Sequence, residues 1–292
     1  MSHKAGFVNI IGNPNVGKST LMNGLVGEKM SIITSKAQTT RHRILGIVNE
    51  ENSQIVFSDT PGVLEPNYKL HEGMMKFVYS ALEDADVLLL IVDAYDQIIK
   101  NEKVLKRLKE IEVPLLIVVN KIDLLDQQRL EETVSLWSEQ FPNAEILPMS
   151  ALHKQGIDTL LNKITTLLPE SAPYFEKDAL TDKTERFFMA EIIREKIFMN
   201  YKKEIPYSCE VVVHSFKDEE NIVRISADIM VSRDSQKGIL IGHQGKMLKK
   251  VGTAARLDME KFLGKKVFLE LYVKVDQDWR DQDSKLKRYG YL

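Results

Sequence analysis

Cysteine is almost absent. Cys209 is the only one in 292 residues, so no internal disulfide can form, and this usage fits a reducing cytoplasm. Long hydrophobic runs are missing too. The longest is Val87–Val92, whereas a membrane-spanning helix needs about 20 apolar residues, so no span is expected. The opening stretch MSHKAGFVNI is too short and too mixed for a secretory signal. No His/Cys spacing of the kind that holds zinc occurs, and there is no internal repeat or low-complexity segment. Charge of one sign does not dominate: 40 Lys and Arg stand against 42 Asp and Glu, a net charge of −2.

What is present is the composition of a soluble globular protein, with 43% apolar and 28% charged residues. The length suits one large domain or two ordinary ones. Charge is unevenly spread. Residues 1–170 hold 17 Lys and Arg against 22 Asp and Glu, and residues 171–292 hold 23 against 20. Within 237–266 the basic residues Lys237, Lys246, Lys249, Lys250, Arg256, Lys261, Lys265 and Lys266 face only Asp258 and Glu260. Such an excess attracts a polyanion, although an isolated charge run is more often a solvated helix face.

The first half alternates short apolar runs with amphipathic stretches. Phe7–Ile11, Gln54–Ser58, Val87–Val92, Leu115–Val119 and Glu145–Met149 read as strands, several apolar throughout, as in a parallel sheet covered on both faces. Lys18–Val26, Glu102–Ile111, Leu130–Phe141 and Ile157–Leu168 carry helical periodicity between them. The alternation predicts a doubly wound α/β domain over 1–169, with ligands at the C-terminal ends of the strands. PESAPYFEKDALTDKTE follows, rich in proline and charge, and reads as a linker over 170–183. From 184 to 292 the order is helix, strand, strand, helix, glycine loop, helix, strand, which is α+β.

The motifs fall at the ends of the predicted strands. GNPNVGKST, comprising Gly12, Asn13, Pro14, Asn15, Val16, Gly17, Lys18, Ser19 and Thr20, fits the phosphate-loop pattern G-x-x-x-x-G-K-[ST]. Gly12 and Gly17 permit the tight turn that points N–H groups at phosphate. The helix behind adds its positive end. Lys18 is expected at the β- and γ-phosphates and Ser19 on Mg²⁺. NKID places Asn120, Lys121 and Asp123 after an apolar run. A carboxylate at Asp123 can accept from guanine N1–H and the 2-amino group, a donor pair that adenine lacks. Asn120 is expected to bond the base, with the Lys121 stem across its face. SAL, Ser150, Ala151 and Leu152, offers the Ala151 N–H to the guanine carbonyl. DTPG, Asp59, Thr60, Pro61 and Gly62, supplies Asp59 for Mg²⁺ through water and the Gly62 N–H for the γ-phosphate. Thr40 is expected to close over Mg²⁺ and the γ-phosphate, with Thr39 the alternative register. Lys18, Thr40 and Gly62 are the catalytic candidates that the motifs themselves supply. Val63 stands where Ras-type switches carry a water-orienting glutamine, so hydrolysis must proceed differently and slowly.

These motifs, with QTTRHR between them and IGHQG in the second half, resemble the bacterial Era GTPases over nearly the whole chain. The resemblance implies a P-loop GTPase domain joined to a type II KH domain, and GTP hydrolysed to GDP. It also implies binding to the 3′ end of small-subunit ribosomal RNA and a role in maturing the small ribosomal subunit. A cytoplasmic protein peripheral to the membrane face is implied, and a monomer is expected. Relatives with a hydrophobic residue at the Val63 position use a potassium ion near the γ-phosphate, held by the asparagine matching Asn15. A KH fold grips single-stranded nucleic acid through a G-x-x-G loop. Here that loop is Gly242, His243, Gln244 and Gly245, with Ile241, Lys246, Lys249 and Lys250 beside it. A different class remains open, an RNA chaperone or scaffold in which GTP is mainly a structural ligand. A nucleotide kinase is disfavoured by NKID. A double GTPase would need a second phosphate loop, and a tRNA-modifying relative a C-terminal cysteine.

Overall fold

A computed structural model describes residues 3–34, 36–95 and 98–292. The described chain forms two compact units, one within 1–67 and 74–182, the other within 68–73 and 183–292.

The first unit is a six-stranded sheet with helices. Its strands are β1 (Lys4–Ile11), β2 (Ile44–Asn49), β3 (Ser53–Asp59), β4 (Val87–Val92), β5 (Leu115–Val119) and β6 (Glu145–Pro148), in the order β2-β3-β1-β4-β5-β6. All neighbours run parallel except β2, which pairs antiparallel with β3 and sets Ile44 opposite Asp59. Every residue of β3 and β4 is buried, which explains why these strands read as continuous rather than alternating. Helices α1 (Lys18–Val26), α3 (Glu102–Lys109), α4 (Gln127–Gln140) and α5 (Ile157–Leu167) lie between or after them, as does α2 (Lys69–Glu83) from residue 74 onward. Val8, Ile10, Leu21, Phe57, Leu89, Ile91 and Val118 are core residues, each stabilising the fold by roughly 1.5–3 kcal/mol through burial.

Helix starts are of two kinds. At α3 and α4, Asn101 and Asp126 accept from the N–H groups of Val104 (3.1 Å) and Arg129 (2.8 Å), as N-caps do. At α1 the N-cap is Gly17, in left-handed conformation and without a side-chain cap. Its leading N–H groups are therefore directed at whatever sits before the helix.

The sequence pattern misses β2 and α2. Both are weakened as signals by an internal glycine, Gly46 and Gly73. Residues 174–182 pack along this sheet. The Gln54 amide accepts from the N–H groups of Tyr174 (2.7 Å) and Phe175 (3.0 Å). Ile47 donates to the Leu180 carbonyl (2.9 Å) and Leu45 to Asp182 Oδ1 (3.0 Å). The stretch expected as a linker is thus hydrogen-bonded to β2 and β3 up to Asp182.

The second unit runs α6 (Glu185–Asn200), α7 (Ile205–Ser208), β7 (Glu210–Asp218), β8 (Ile222–Val231), α8 (Asp234–Ile241), α9 (Lys246–Leu263), β9 (Lys266–Val275) and α10 (Asp283–Arg288). β7 and β8 form an antiparallel hairpin, and β9 lies parallel to β8. A parallel neighbour requires a crossover, here α8 and α9 with the glycine loop between them. Trp279 is fully buried, donating from Nε1 to the Ser208 carbonyl at 3.0 Å, so it packs rather than binds. Among the described residues no helix is long and apolar enough to cross a membrane.

Candidate functional site

The loops after β1, β3, β5 and β6 converge on a cavity of about 270 Å³. Pro14, Asn15, Gly17, Lys18, Ser19, Thr20, Thr39, Thr40, Gly62, Asn120, Lys121, Asp123 and Leu152 line it. The other expected residues form its scaffold. Gly12 (φ 151°) has no room for a side chain, since a Cβ would fall 2.3 Å from the Ile91 carbonyl oxygen. The Gly12 carbonyl accepts from Lys18 Nζ (3.1 Å) and the Val63 N–H (3.0 Å). Lys18 Nζ also donates to the Asn13 carbonyl at 2.8 Å. These bonds hold a buried ammonium under the loop. Asn13 Nδ2 donates to the Ile98 carbonyl at 2.7 Å, and Thr60 Oγ1 to that of Ile10 at 2.7 Å. Val16 and Pro61 are buried. Gly62 packs on Pro14, where a Cβ would approach three of its atoms to 2.9 Å.

At one end of the cavity, hydroxyls and a carboxylate gather. Ser19 Oγ donates to Asp59 Oδ2 at 2.7 Å and lies 2.9 Å from Thr40 Oγ1, itself 3.3 Å from Asp59 Oδ2. Thr39 turns elsewhere, bonding the Lys36 carbonyl (2.7 Å) and Thr34 Oγ1 (2.7 Å). Between the two registers, the geometry brings Thr40 to the cluster. Burial pushes the Asp59 carboxyl above its ordinary range, opposed by the Lys18 charge and by the hydroxyls of Ser19, Ser31 and Thr40. Its Oδ1 is buried with no hydrogen-bond partner among the described residues. A buried carboxylate oxygen without a hydrogen bond, beside the Ser19 and Thr40 hydroxyls and with that of Ser31 near the same carboxylate, is a hard-oxygen donor set and fits Mg²⁺. Val63 is fully buried in the core, so its position presents no side chain to the cavity.

At the other end is Asp123, with Ser150 Oγ donating to its Oδ1. Lys121, in left-handed backbone (φ 64°), pairs with Asp93 at 2.7 Å and lays its stem on the cavity wall. Asn120 lines the cavity and is itself held on both sides. Its Nδ2 donates to the Val16 carbonyl (2.8 Å) and its Oδ1 accepts the Ala151 N–H (2.9 Å). The amide therefore braces the phosphate loop against the SAL loop. Ala151 N–H, expected at the base carbonyl, is one end of that brace. Asp93, Leu124, Ile32, Ile33 and Thr34 carry no motif, yet Asp93 anchors Lys121 and the others line the cavity, together with Lys36 and Gln38 at the head of the threonine segment. SIITSKAQ has no spacing rule that would have marked it.

In the second unit, Gly242 (φ 69°), Gln244 (φ 51°) and Gly245 (φ 73°) make the turn between α8 and α9. A Cβ on Gly242 would lie 2.8 Å from the Met247 side chain, whereas the space beside Gly245 is open. His243 and Gln244 are exposed, and Ile241 is half-buried. A groove of about 490 Å³ adjoins the loop, lined by Gly245, Leu248, Lys249, Gly252, Arg256 and the first half of β9. Lys246 and Lys250 are exposed on α9 outside that lining. Arg256 belongs to the basic excess of 237–266, but its pairing with Gly252 and β9 across one groove leaves no local motif, because a groove between a helix and a strand distant in sequence has none.

Residues 7–121 match a family described as 50S ribosome-binding GTPase, and residues 204–280 match the KH domain. The GTPase Era of Syntrophus aciditrophicus (strain SB) is 47% identical, covering 99% of this chain and 95% of that protein. That of Alkaliphilus metalliredigens (strain QYMF) is 46% identical over the whole of both. The chain belongs to the Era GTPase family. It is thus a GTP-hydrolysing enzyme built from a P-loop GTPase domain and a C-terminal KH domain. A crystal structure of Era in complex with MgGDPNP and nucleotides 1506–1542 of 16S ribosomal RNA matches with a TM-score of 0.95, at 39% identity and 99% coverage of each chain.

Proposed function

We propose that this Era-family GTPase is a switch whose nucleotide state governs how its KH unit holds the 3′ end of small-subunit ribosomal RNA during maturation of the small ribosomal subunit. The observation that carries the reading is the gathering of Ser19, Thr40 and Asp59 around one oxygen-lined point, in the same cavity as Asp123. Thr40 belongs to the segment after α1, so its presence there depends on how that segment is folded. The Era structure that holds both MgGDPNP and the RNA fragment supports the pairing of ligands.

In this reading Asp123 accepts from the guanine edge while Ser150 and the Asn120 brace fix its position. The phosphate chain lies along the loop and the N-terminus of α1. Ser19, Thr40 and Asp59 hold Mg²⁺, which when bound neutralises developing phosphate charge. Lys18, fixed by two loop carbonyls, stabilises the β- and γ-oxygens, and Gly62 contributes its N–H. The attacking water is not oriented from the Val63 position. Asn15, which lines the cavity with φ 67°, would hold a potassium ion, whose charge would act near the γ-phosphate. Hydrolysis faster in potassium than in sodium is the expected result, and equal rates would remove that ion from the account. In the KH unit, Gly242–Gly245, Ile241, Lys246, Lys249 and Lys250 receive the RNA backbone and bases. The protein acts as a monomer in the cytoplasm, with peripheral attachment at the membrane face.

Burial of Val63 also favours a second reading, in which slow turnover makes GTP mainly a structural ligand of an RNA chaperone. Multiple-turnover hydrolysis with and without the RNA 3′ end separates the two. Acceleration by RNA supports the switch, and an unchanged rate with full RNA binding to the GDP form supports the chaperone.

A further inference from the structure

Arg43 lies three residues after Thr40 and immediately before β2. Four hydrogen bonds leave its guanidinium. Nε donates to Ser58 Oγ at 2.6 Å, Nη1 to Asp84 Oδ2 at 2.6 Å, and Nη2 to Asp84 Oδ1 at 2.9 Å and Asn9 Oδ1 at 3.0 Å. The acceptors come from two strands and from the residue after a helix. Ser58 directly precedes Asp59 on β3, Asn9 is on β1 three residues before Gly12, and Asp84 directly follows α2. Asn9 closes the network, donating from Nδ2 to Asp84 Oδ1 and to the Ala81 carbonyl, both at 2.7 Å. The strands leading into the phosphate loop and into Asp59 are therefore tied, through one side chain, to the end of the segment that carries Thr40.

We propose that Arg43 is a positioning residue for GTP hydrolysis: it anchors the C-terminal end of the Thr40 segment so that Thr40 meets Ser19 and Asp59. The proposal rests on the reading of those three residues as the Mg²⁺-bearing set. Asp84 is half-exposed, with 50% of its side chain accessible against 14% for Arg43. The ion pair itself adds little to global stability in that setting, whereas the bonds to buried Asn9 and Ser58 fix the geometry. Only a planar fork reaches two carboxylate oxygens, an amide oxygen and a hydroxyl together, and an ammonium cannot replace it. GDP lacks the γ-phosphate that Thr40 covers. Loss of the anchor therefore weakens GTP binding and hydrolysis while leaving GDP binding intact.

The test uses the full-length chain and the variants Arg43→Lys, Arg43→Gln and Asp84→Asn. Affinities for fluorescent GDP and for a non-hydrolysable GTP analogue are measured at several Mg²⁺ concentrations and in EDTA, with melting temperature and steady-state hydrolysis alongside. In Mg²⁺, affinity for the analogue falls about tenfold for both Arg43 variants, the scale of losing one or two charge-assisted hydrogen bonds. GDP affinity stays close to that of the parent, melting temperature falls because buried Asn9 and Ser58 lose a partner, and raised Mg²⁺ recovers part of the loss. Asp84→Asn shifts the same ratio by less, and decides the matter if the Arg43 variants do not fold. Parallel loss of GDP and analogue affinity, or no change in either, overturns the proposal. Thr40→Ala separates the two layers. If it too leaves the analogue-to-GDP ratio unchanged, the Mg²⁺ reading fails and takes the proposal with it. If it lowers the ratio while the Arg43 variants do not, the proposal alone fails.

Discussion

Asp59 is held fully buried beside Lys18, Ser19 and Thr40, and burial raises its pKa above the ordinary carboxylate value of 3.8. Without ligands, the folded chain thus binds a proton at Asp59 more readily than the unfolded chain does. The stability from this linkage is complete below the ordinary carboxylate range and is lost as pH rises through the raised value. Replacing Asp59 with Asn removes that titration. At neutral pH without nucleotide or Mg²⁺, the variant is expected to melt at a higher temperature than the parent, the gap narrowing as pH falls toward the carboxylate range. Mg²⁺ with GDP raises the melting temperature of the parent far more than that of the variant. Calorimetry across pH checks both statements. At the far end of the same cavity, Asp123→Asn exchanges an acceptor for a donor. Preference is expected to move from guanine to xanthine nucleotides by at least about tenfold, the scale of one lost base-reading hydrogen bond. Competition binding measures it, and a variant that still prefers GTP contradicts the assignment of Asp123.

Helices α8 and α9 are joined by a turn that glycine makes possible, and His243 and Gln244 are exposed at its tip. Aspartate at both positions places two negative charges where a phosphate chain would pass. Loss of RNA binding is expected with GTP affinity unchanged, since that site is in the first unit. Filter binding and nucleotide titration of one preparation test this, and retained RNA affinity contradicts the loop's role. The same elements show what a sequence reveals. Strands β4 and β5 are legible because parallel strands buried on both faces are uninterrupted apolar runs. The phosphate loop is legible because its glycines, lysine and serine act within nine consecutive residues. Strand β2 and helix α2 are not, since Gly46 and Gly73 break their patterns. The Asn120 brace, the Lys121–Asp93 pair and the Arg43 network are also hidden, because each joins residues far apart in the chain. The groove beside Gly245 is half helix and half strand, and neither part carries a signature of its own.

For the whole molecule, control of RNA binding by nucleotide needs a structural path out of the cavity. One begins at Thr40. Four residues later β2 starts, with Ile44 paired to Asp59, and β2 in turn carries hydrogen bonds to Leu180, Thr181 and Asp182. These are the last residues of the first unit before the chain enters the second at Lys183. The Thr40 segment is thus connected, through one strand, to the residues from which the KH unit departs, the path that the proposed switch would use. The most direct test is the affinity of the full chain for an oligonucleotide of the small-subunit RNA 3′ end, measured with GDP and with a non-hydrolysable GTP analogue in Mg²⁺. The switch predicts tighter binding with the analogue by about tenfold, a coupling of 1–2 kcal/mol. Equal affinity in the two states would contradict it.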